Sequence, residues 1–381
     1  MTRARSLAVV GRFPPPLDGQ ALATARLAHL VAGPLGGGWS VTRADVGAPE
    51  GDALVSVGGG GIGRAAHFVR RAAATRRALA AAPDAPILWT SISPSPLGHT
   101  RDVLTVVPTF GRRPAIAVVH RGDFERLFRS RATLATGRAL VRRLAAVVFL
   151  TDRLAARCAP FVPTEKRLVI PNTIDDAAIP GLHELETSRS VRAGRDGVRL
   201  LFLSGMVRSK GYPDVLDALG VLRQRGVEAT ATFAGRWPSA EAETAFRARA
   251  EALDLGGAIR VLGGVTDRDR VRDLHLDADV FVLPTTYPVE AQPLTVIEAL
   301  AAGTPVVTTR HAGLPEMVTP GVEGAFVAPG APDAIADAVT RLLQPDRWSA
   351  ASRSARARFE RQFSPASVGA RWQQVLESVG D

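Results

Sequence analysis

The sequence predicts an α/β protein made of two doubly wound parallel sheets. Short apolar runs alternate with helix-like patterns along the whole chain, which is typical of parallel sheets covered by helices on both faces. The runs fall into two series of six, and 381 residues are enough for two domains that each bury a core. We therefore expect two such domains in succession.

The strands are expected at the apolar runs themselves, with helical patterns between them. In the first domain the runs are residues 7–10, 53–57, 87–90, 115–120, 146–151 and 167–171. In the second domain they are residues 198–204, 229–234, 259–262, 280–284, 305–309 and 324–327.

The boundary between the domains is expected near residues 172–197, where polar and charged residues replace the apolar periodicity, as in a linker. The first domain then covers residues 1–178 and the second covers residues 197–364. Residues 365–381 should form a terminal helix, because apolar residues recur there at helical spacing. These residues are Val368, Trp372, Val375 and Leu376.

Composition is that of a soluble globular protein, with 46% hydrophobic and 22% charged residues. Cys158 is the only cysteine, which excludes disulfides within the chain and cysteine-based metal sites. No apolar run approaches the roughly 20 residues that span a bilayer. The chain starts with a short strand and a proline-rich turn rather than a signal peptide, so we expect a cytoplasmic protein.

The formal net charge of +10 has two interpretations. It could indicate binding to nucleic acid or an anionic membrane, but nearly all the basic residues are arginines, which a GC-rich coding sequence also produces. No nucleic-acid motif is present, so we expect no nucleic-acid partner. An arginine run lies around one helix of the first domain, and we favour a solvated face over lipid docking for it. It contains Arg126, Arg129, Arg131, Arg138, Arg142 and Arg143.

The most informative stretch is residues 290–307, E-A-Q-P-L-T-V-I-E-A-L-A-A-G-T-P-V-V. Pro293 suits the first turn of a helix, and Gly303 followed by Pro305 ends that helix before an apolar strand. Glu290 therefore precedes the helix and Glu298 lies within it. The start of the helix exposes backbone N–H groups that can hold a phosphate.

Two further segments place polar residues at strand ends. In residues 201–216, L-F-L-S-G-M-V-R-S-K-G-Y-P-D-V-L, a strand ends and a helix begins around Lys210, one of two lysines in an arginine-dominated chain. In residues 116–128, I-A-V-V-H-R-G-D-F-E-R-L-F, a buried strand delivers His120 to its carboxyl end. Open α/β sheets bind ligands at that edge.

Residues 290–307 resemble the nucleotide-sugar signature of family 4 glycosyltransferases, in which a Glu, seven residues and a second Glu precede an Ala-x-Ala-x-Gly-x-Pro-Val-Val run. The resemblance implies the GT-B architecture, with two Rossmann-like domains facing an inter-domain cleft. It also implies sugar transfer with retention of anomeric configuration and a terminal helix that crosses back onto the first domain.

The resemblance implies that the segment around Lys210 is a diphosphate-binding turn. The family usually has an arginine five positions before this lysine, whereas this chain has Gly205 there, and Arg208 could substitute. Gly235, after the next strand, would join the loops around the base and the phosphates.

The same resemblance implies roles for the two carboxylates. Glu298 would accept hydrogen bonds from both ribose hydroxyls, and Glu290 would lie near the donor sugar and favour oxocarbenium character. The helix amides would contact phosphate, since a helix N-terminus attracts anions. These are the amides of Leu294, Thr295 and Val296.

In the first domain, His120 is similar to the histidine of the family's His-x-Gly motif, which faces the sugar and the acceptor, with Asp123 as a weaker neighbour. A lone histidine at a strand end is also often structural. Asp18 and Gly19 stand where family members often have a Gly-Gly pair near the donor phosphates, although a plain turn would also favour glycine. The predicted catalytic residues are His120, Lys210 and Glu290.

Two motifs are not taken as signs of a dehydrogenase or a metal site. Residues 58–63, G-G-G-G-I-G, satisfy a dinucleotide pattern, but the next strand is not followed by the acidic residue that a dehydrogenase requires. We expect these glycines to line the cleft or to permit a tight turn. Asp277 and Asp279 are similar to the metal-binding Asp-x-Asp of the other large glycosyltransferase architecture. They directly precede an apolar strand, so we interpret them as helix-end caps and predict no metal.

The expected function is that of a retaining, metal-independent glycosyltransferase of hexosyl type. It would use a nucleoside-diphosphate sugar as donor substrate, a small molecule or glycan as acceptor, and no cofactor. Two alternatives stay open. Gly205 suggests a catalytically silent nucleotide-binding or scaffold protein, and the fold also admits a sugar-nucleotide epimerase.

Overall fold

The computed structural model describes residues 5–15, 19–47 and 61–380. The chain divides into two compact units, one formed by Met1–Thr173 with Pro365–Asp381 and the other by Ile174–Ser364. Within the described residues, each unit contains a parallel sheet of six strands. No helix in these ranges is both long enough and apolar enough to cross a bilayer.

The sheet of the N-terminal unit has the strand order β2-β1-β3-β4-β5-β6. Its strands are β1 (Ser6–Gly11), β2 (Ser40–Asp45), β3 (Ile87–Trp89), β4 (Ala115–Val119), β5 (Ala146–Phe149) and β6 (Arg167–Val169). Every residue of β3, β4 and β5 is buried, which explains why these strands are apolar runs rather than alternating ones.

The helices of this unit follow in chain order, with α15 coming from the end of the chain. They are α1 (Gly19–Ala32), α2 (Gly61–Ala80), α3 (Pro96–Arg101), α4 (Arg126–Arg129), α5 (Arg131–Arg143), α6 (Asp152–Cys158) and α15 (Pro365–Gly380). A π turn (Asp102–Val106) and 3-10 turns (Pro34–Gly36, Val107–Phe110, Thr164–Lys166) complete it.

The sequence did not predict β2. Among the described residues, this strand lies at the edge of the sheet and pairs only with β1, and a single one of its residues, Ala44, is buried. Such an edge strand lacks the apolar run that reveals a central strand. The strand predicted at residues 53–57 lies outside the described residues.

The C-terminal unit repeats this architecture with the order β12-β11-β10-β7-β8-β9. Its strands are β7 (Val198–Leu203), β8 (Ala229–Ala234), β9 (Ile259–Val261), β10 (Val280–Leu283), β11 (Val306–Thr309) and β12 (Gly324–Val327). All six coincide with predicted runs. Phe281 of β10 pairs with Leu201 of β7 on one side and with Val306 of β11 on the other.

Helices cover both faces of this second sheet. They are α7 (Leu182–Ala193), α8 (Tyr212–Gln224), α9 (Ala240–Ala252), α10 (Arg268–Asp277), α11 (Leu294–Ala301), α12 (Leu314–Met317), α13 (Pro332–Leu342) and α14 (Pro345–Gln362). Short 3-10 turns lie at Asp176–Ala178, Arg208–Lys210 and Gly256–Ala258.

Residues 172–197 are not an extended linker, because they contain helix α7 and are part of the C-terminal unit from Ile174 onward. Of the residues in α7, only Leu185 is buried. Polar contacts attach the helix and the turn after it, since the Ser188 hydroxyl donates to the carbonyl of Leu276 (2.6 Å) and Arg195 donates to Asp279 (2.5 Å). A helix held by polar contacts shows no apolar periodicity, which is why the sequence suggested a linker.

The terminal helix α15 packs on the N-terminal unit, against α1 and the turn Pro34–Gly36. Val368, Trp372 and Leu376 recur every four residues and are all buried. A Cβ on Gly369 would lie 2.4 Å from the carbonyl oxygen of Leu35, so the helix approaches that turn closely. Arg5 also donates to Glu377 (3.1 Å).

Replacing Trp372 tests this packing. Trp372→Ala removes a buried indole and should lower the free energy of unfolding by about 3–5 kcal/mol, because the cavity cannot fully close. Gln374→Ala, at an exposed position of the same helix, should change it by less than about 0.5 kcal/mol. Urea unfolding measures both, and equal effects would contradict the packing.

Candidate active site

The candidate site lies at the carboxyl edge of the second sheet, where the strand order reverses. From β7 the chain moves outward to β8 and β9 on one side, and it then returns to β10 on the other side of β7. The loops after β7 and β10 therefore leave adjacent strands in opposite directions. Open α/β sheets bind ligands at such a switch point.

These two loops are bound to each other. The carbonyl oxygen of Ser209, in the loop after β7, accepts the N–H of Thr286 (2.7 Å) and the hydroxyl of Thr285 (3.3 Å). Gly211 has φ +87°, and a Cβ there would lie 2.6 Å from the carbonyl oxygen of Pro284. Only glycine fits this left-handed backbone so near another loop, and the contact places Lys210 beside the loop after β10.

Lys210 forms an ion pair with Glu290. The distance from Nζ to Oε2 is 2.5 Å, and the two side chains are 15% and 10% exposed. The Lys210 ammonium also lies 4.4 Å from the ring centroid of Tyr287, a cation–π contact. The structure thus brings together two of the three residues predicted to be catalytic. An ammonium has three N–H donors, so Lys210 can hold Glu290 and still donate to an anion.

Tyr287 is a site residue that sequence reasoning missed, and it contacts His311, which begins the segment H-A-G-L-P-E that resembles the family's pocket-shaping Gly-x-Pro-Glu turn. The carbonyl oxygen of Tyr287 accepts the N–H of Glu290 (3.0 Å) and a hydrogen bond from Nε2 of His311 (2.8 Å). A carbonyl can only accept, so the proton of His311 lies on Nε2 in this contact. His311 thereby supports the turn that presents Glu290. The signal in the sequence was slight: Tyr287 is one of two tyrosines and stands three residues before Glu290.

Glu298 is 3% exposed and accepts a hydrogen bond from Nη1 of Arg268 (3.2 Å). Arg268 is the first residue of α10, thirty positions earlier, so no local pattern links it to Glu298. At the start of α11, the amide of Val296 already donates to the carbonyl of Pro293 (3.2 Å). The amides of Leu294 and Thr295 stand before it in the first turn, where a helix has no internal acceptor.

The remaining residues predicted to bind the donor occupy different environments. They are Gly205, Arg208 and Gly235. A Cβ on Gly235 would lie 1.7 Å from the carbonyl oxygen of Ser204, so glycine is required where the loops after β7 and β8 meet. By contrast, a Cβ on Gly205 would have no atom within 4 Å, so an arginine there is not excluded by crowding. Arg208 is exposed and shares the 3-10 turn of Lys210.

In the N-terminal unit, His120 follows β4 with its Nε2 atom buried and, among the described residues, without a hydrogen-bond partner. It borders a cavity of about 20 Å³ shared with Arg26 of α1 and Trp372 of α15. Burial lowers the pKa of His120 to about 4. The imidazole is therefore neutral at neutral pH and can exchange a hydrogen bond but supplies no positive charge.

The other candidates of this unit make structural contacts. Asp123 accepts from Arg121 (3.0 and 2.9 Å) and from Arg126 (3.3 Å). Gly19 is the first residue of α1, and the following Gln20 side chain donates to the carbonyl of Thr90 at the end of β3 (2.9 Å). Asp18 and residues 58–60 of the glycine-rich motif lie outside the described residues.

Asp277 and Asp279 do not cap a helix, contrary to the sequence-based interpretation. Asp279 is 1% exposed and accepts from Arg195 (2.5 Å), from Arg192 (3.2 Å) and from the N–H of Arg199 (2.7 Å), while Asp277 pairs with the Arg199 side chain. Both stand before β10, at the edge of the sheet opposite the candidate site. Within the described ranges, no three His, Cys, Asp or Glu side chains are grouped as a metal site would need.

This chain is similar in sequence to known glycosyltransferases. Residues 186–360 match the family model described as "Glycosyl transferases group 1". A mannosylfructose-phosphate synthase from Agrobacterium fabrum is 35% identical over 143 residues, or 36% of this chain and 31% of that relative. A GDP-mannose-dependent alpha-(1-6)-phosphatidylinositol dimannoside mannosyltransferase from Mycobacterium tuberculosis is 36% identical over 133 residues, or 35% and 32%. This chain therefore spans about a third of the length of these relatives.

The likeness to solved structures covers nearly the whole chain. The crystal structure of HepE from Anabaena in complex with UDP matches with a TM-score of 0.73 at 16% identity, covering 98% of this chain and 100% of that one. At this identity the likeness shows the fold alone, and the predicted GT-B fold with two Rossmann-like domains is confirmed. The family match confirms the resemblance at the level of group 1, and membership of family 4 stays a prediction.

The contact between the two loops can be tested at Gly211. Gly211→Ala combines left-handed strain with crowding against Pro284 and should cost about 2–4 kcal/mol of the free energy of unfolding. Gly226→Ala is the matched control, because Gly226 has φ +78° but no atom within 4 Å of a Cβ. It should cost about 1–2 kcal/mol, from backbone strain alone. Urea unfolding that gave equal losses would contradict the close contact with Pro284.

The burial of His120 predicts a pH-dependent stability. The pKa of His120 is about 4 in the folded protein, below its ordinary value of 6.5, so the unfolded chain binds more protons between these values. Its contribution is complete above pH 6.5 and is lost as the pH falls through 4, about 3 kcal/mol in all.

Unfolding of the wild type and of His120→Asn should therefore be compared across that pH range. The variant should lose less stability on acidification than the wild type. His183→Asn, at an exposed histidine, controls for general effects and should follow the wild type. Parallel curves for wild type and His120→Asn would contradict the burial.

Proposed function

We propose that this chain, whose residues 186–360 match the model of the group 1 glycosyltransferases, transfers a hexose-type sugar from a nucleoside-diphosphate sugar to an acceptor with retention of configuration. The observation that carries the proposal is the partly buried ion pair of Lys210 and Glu290 at the switch point of the second sheet, beside the start of α11. It unites a cation for the leaving diphosphate with a carboxylate for the reacting sugar.

The departing diphosphate needs stabilisation where negative charge develops. Lys210 offers further N–H donors beside the one held by Glu290, and Arg208 offers a second cation on the same 3-10 turn. The amides of Leu294 and Thr295 add the positive end of a helix. Because these groups can together neutralise a diphosphate, we propose that the reaction needs neither a metal ion nor a cofactor.

The sugar would react beside Glu290. In the transfer, the bond from the anomeric carbon to the leaving diphosphate breaks, and a bond from that carbon to the acceptor oxygen forms. The acceptor proton passes to an oxygen of the leaving diphosphate, so no protein base is required. The charge of Glu290 favours the oxocarbenium character that builds up meanwhile, and its pairing with Lys210 keeps the carboxylate in place.

The nucleoside would be recognised by Glu298. A carboxylate can accept hydrogen bonds from both hydroxyls of a ribose, and Arg268 holds this one from the side of α10. The named relatives include a GDP-mannose-dependent enzyme, and a neighbouring structure contains UDP. The test of donor binding therefore includes both guanine and uracil nucleotides.

Thermal stabilisation by UDP-, GDP-, ADP- and dTDP-sugars, with and without a metal chelator, tests the donor site. A ligand that binds only the folded protein raises its melting temperature, so one class of nucleotide should stabilise the chain and the chelator should not matter. Nuclear magnetic resonance of the product then assigns the anomeric configuration, and inversion would overturn retention. Binding of a nucleotide sugar without turnover favours a catalytically silent nucleotide-binding or scaffold protein. Interconversion of donor sugars without an acceptor favours a sugar-nucleotide epimerase.

Lys210→Ala should remove most of the activity. Loss of a preorganised donor to the leaving group lowers kcat/KM on the order of 100- to 1,000-fold, and the stabilisation by nucleoside diphosphate should fall with it. Arg347→Ala, which removes a positive charge from an exposed position on α14, is the control and should leave both unchanged. Near-normal turnover by Lys210→Ala would overturn its role.

A further inference from the structure

The positive charge of this chain is concentrated in one segment. Residues 61–145 contain 15 arginines and four acidic residues, a formal charge of +11, whereas the whole chain carries +10. The remaining residues therefore carry 32 basic and 33 acidic side chains, a charge of −1. A coding bias towards arginine would raise the charge along the whole sequence, so it does not explain this distribution.

Most of the acidic side chains in this segment are already paired in the structure. Asp102, Asp123 and Glu125 are 1%, 7% and 5% exposed, and each forms ion pairs with arginine. Among the described residues of the segment, Asp84 is the acidic residue that is exposed. The surface that remains is strongly cationic.

Topology places the helices of this segment on one face of the sheet. From β2 onward the chain moves across the sheet in one direction, through β3 and β4 to β5. Right-handed crossovers then put α2, α3 and α5 on the same face, opposite α1. Contacts between the elements confirm that these helices are neighbours, since α3 packs on α5 and the π turn Asp102–Val106 packs on α2. His99 of α3 also bonds Thr136 of α5 (2.8 Å).

Exposed apolar side chains lie on the same helices. Leu97 is 66% exposed and Leu104 is 71% exposed, both on the helical stretch between α2 and α5. Val69 of α2 is 67% exposed. The exposed arginines flank these positions on the two neighbouring helices. They are Arg70, Arg76 and Arg77 on α2 and Arg131, Arg138 and Arg142 on α5.

We infer that this face, formed by α2, α3 with its π turn, and α5, docks on an anionic lipid surface. Arginines contact the headgroups, and Leu97 and Leu104 enter the boundary between headgroups and acyl chains. Cationic residues around exposed leucines match the interface of such a membrane, which offers negative charge above an apolar layer. A nucleic acid would satisfy the arginines but offer no apolar layer for the leucines.

The distribution of charge and the exposed leucines are the reasons why we now favour lipid docking over a solvated face for the arginine run. The inference is independent of the proposed transfer reaction, since it rests on the N-terminal unit alone. It can hold whether or not the site in the other unit is catalytic.

Flotation of the full-length protein with vesicles tests the inference. Vesicles of phosphatidylcholine with about 30% phosphatidylglycerol should bind the protein, and pure phosphatidylcholine should not, because the surface potential comes from the anionic lipid. Raising the salt concentration should weaken the binding, since the charges are exposed. Absence of binding to the anionic vesicles would overturn the inference.

Paired variants locate the surface. Arg138→Gln with Arg142→Gln should weaken partitioning on the order of 30-fold, through the loss of two arginines at a charged interface. Leu97→Ser with Leu104→Ser should weaken it on the order of 10-fold or more. The matched controls lie in the other unit: Arg347→Gln with Arg353→Gln removes the same charge, and Leu182→Ser replaces a leucine that is 69% exposed.

The results of these experiments distinguish an anionic lipid surface from a nucleic acid as the partner. Loss of binding in both test pairs and retention in both controls supports lipid docking by this face. Equal losses in test and control pairs would overturn it, because the binding would then follow net charge alone. If the leucine variants bind vesicles as the wild type does, and DNA or RNA binds more tightly to the same arginines, the face would instead be assigned to a nucleic acid. Circular dichroism of each variant shows that the fold is retained.

Discussion

The contact between the loop after β7 and the loop after β10 holds the candidate site together. The carbonyl of Ser209 accepts hydrogen bonds from both Thr285 and Thr286, and Gly211 lies against Pro284 with room for no Cβ. Without this close approach, Lys210 and Glu290 would lie on separate loops, eighty residues apart in sequence. Their ion pair is thus a consequence of backbone packing at the switch point of the sheet.

Charges in the second unit are buried in pairs. Glu298 has Arg268, Glu290 has Lys210, and Asp279 has Arg192 and Arg195. A buried carboxylate without such a partner would be costly to keep ionised. At the switch point this pairing holds Glu290 and Glu298 in place close to where a negatively charged diphosphate would bind. The pairs around Asp279 serve a different purpose, since they attach α7 at the opposite edge of the sheet.

The two units use arginine differently. In the C-terminal unit, arginines with buried carboxylate partners replace the apolar contacts that α7 lacks. In the N-terminal unit, α2 and α5 carry exposed arginines, the stretch between them carries exposed leucines, and Asp102, Asp123 and Glu125 are buried. The same residue type therefore supports internal packing in one unit and forms an outward face in the other, a difference that composition does not reveal.

The sequence by itself determined the elements and motifs that depend on local pattern. Buried central strands require continuous apolar runs, and the edge strands β6, β9 and β12 carry short apolar runs as well, so eleven of the twelve described strands coincide with predicted ones. The start of α11 was readable from Pro293, and its end from Gly303 with its positive φ. Tertiary structure alone decided what depends on distant partners. The edge strand β2 and helix α7 lack an apolar signature, and Tyr287 and Arg268 enter the site only through contacts with residues brought near by folding.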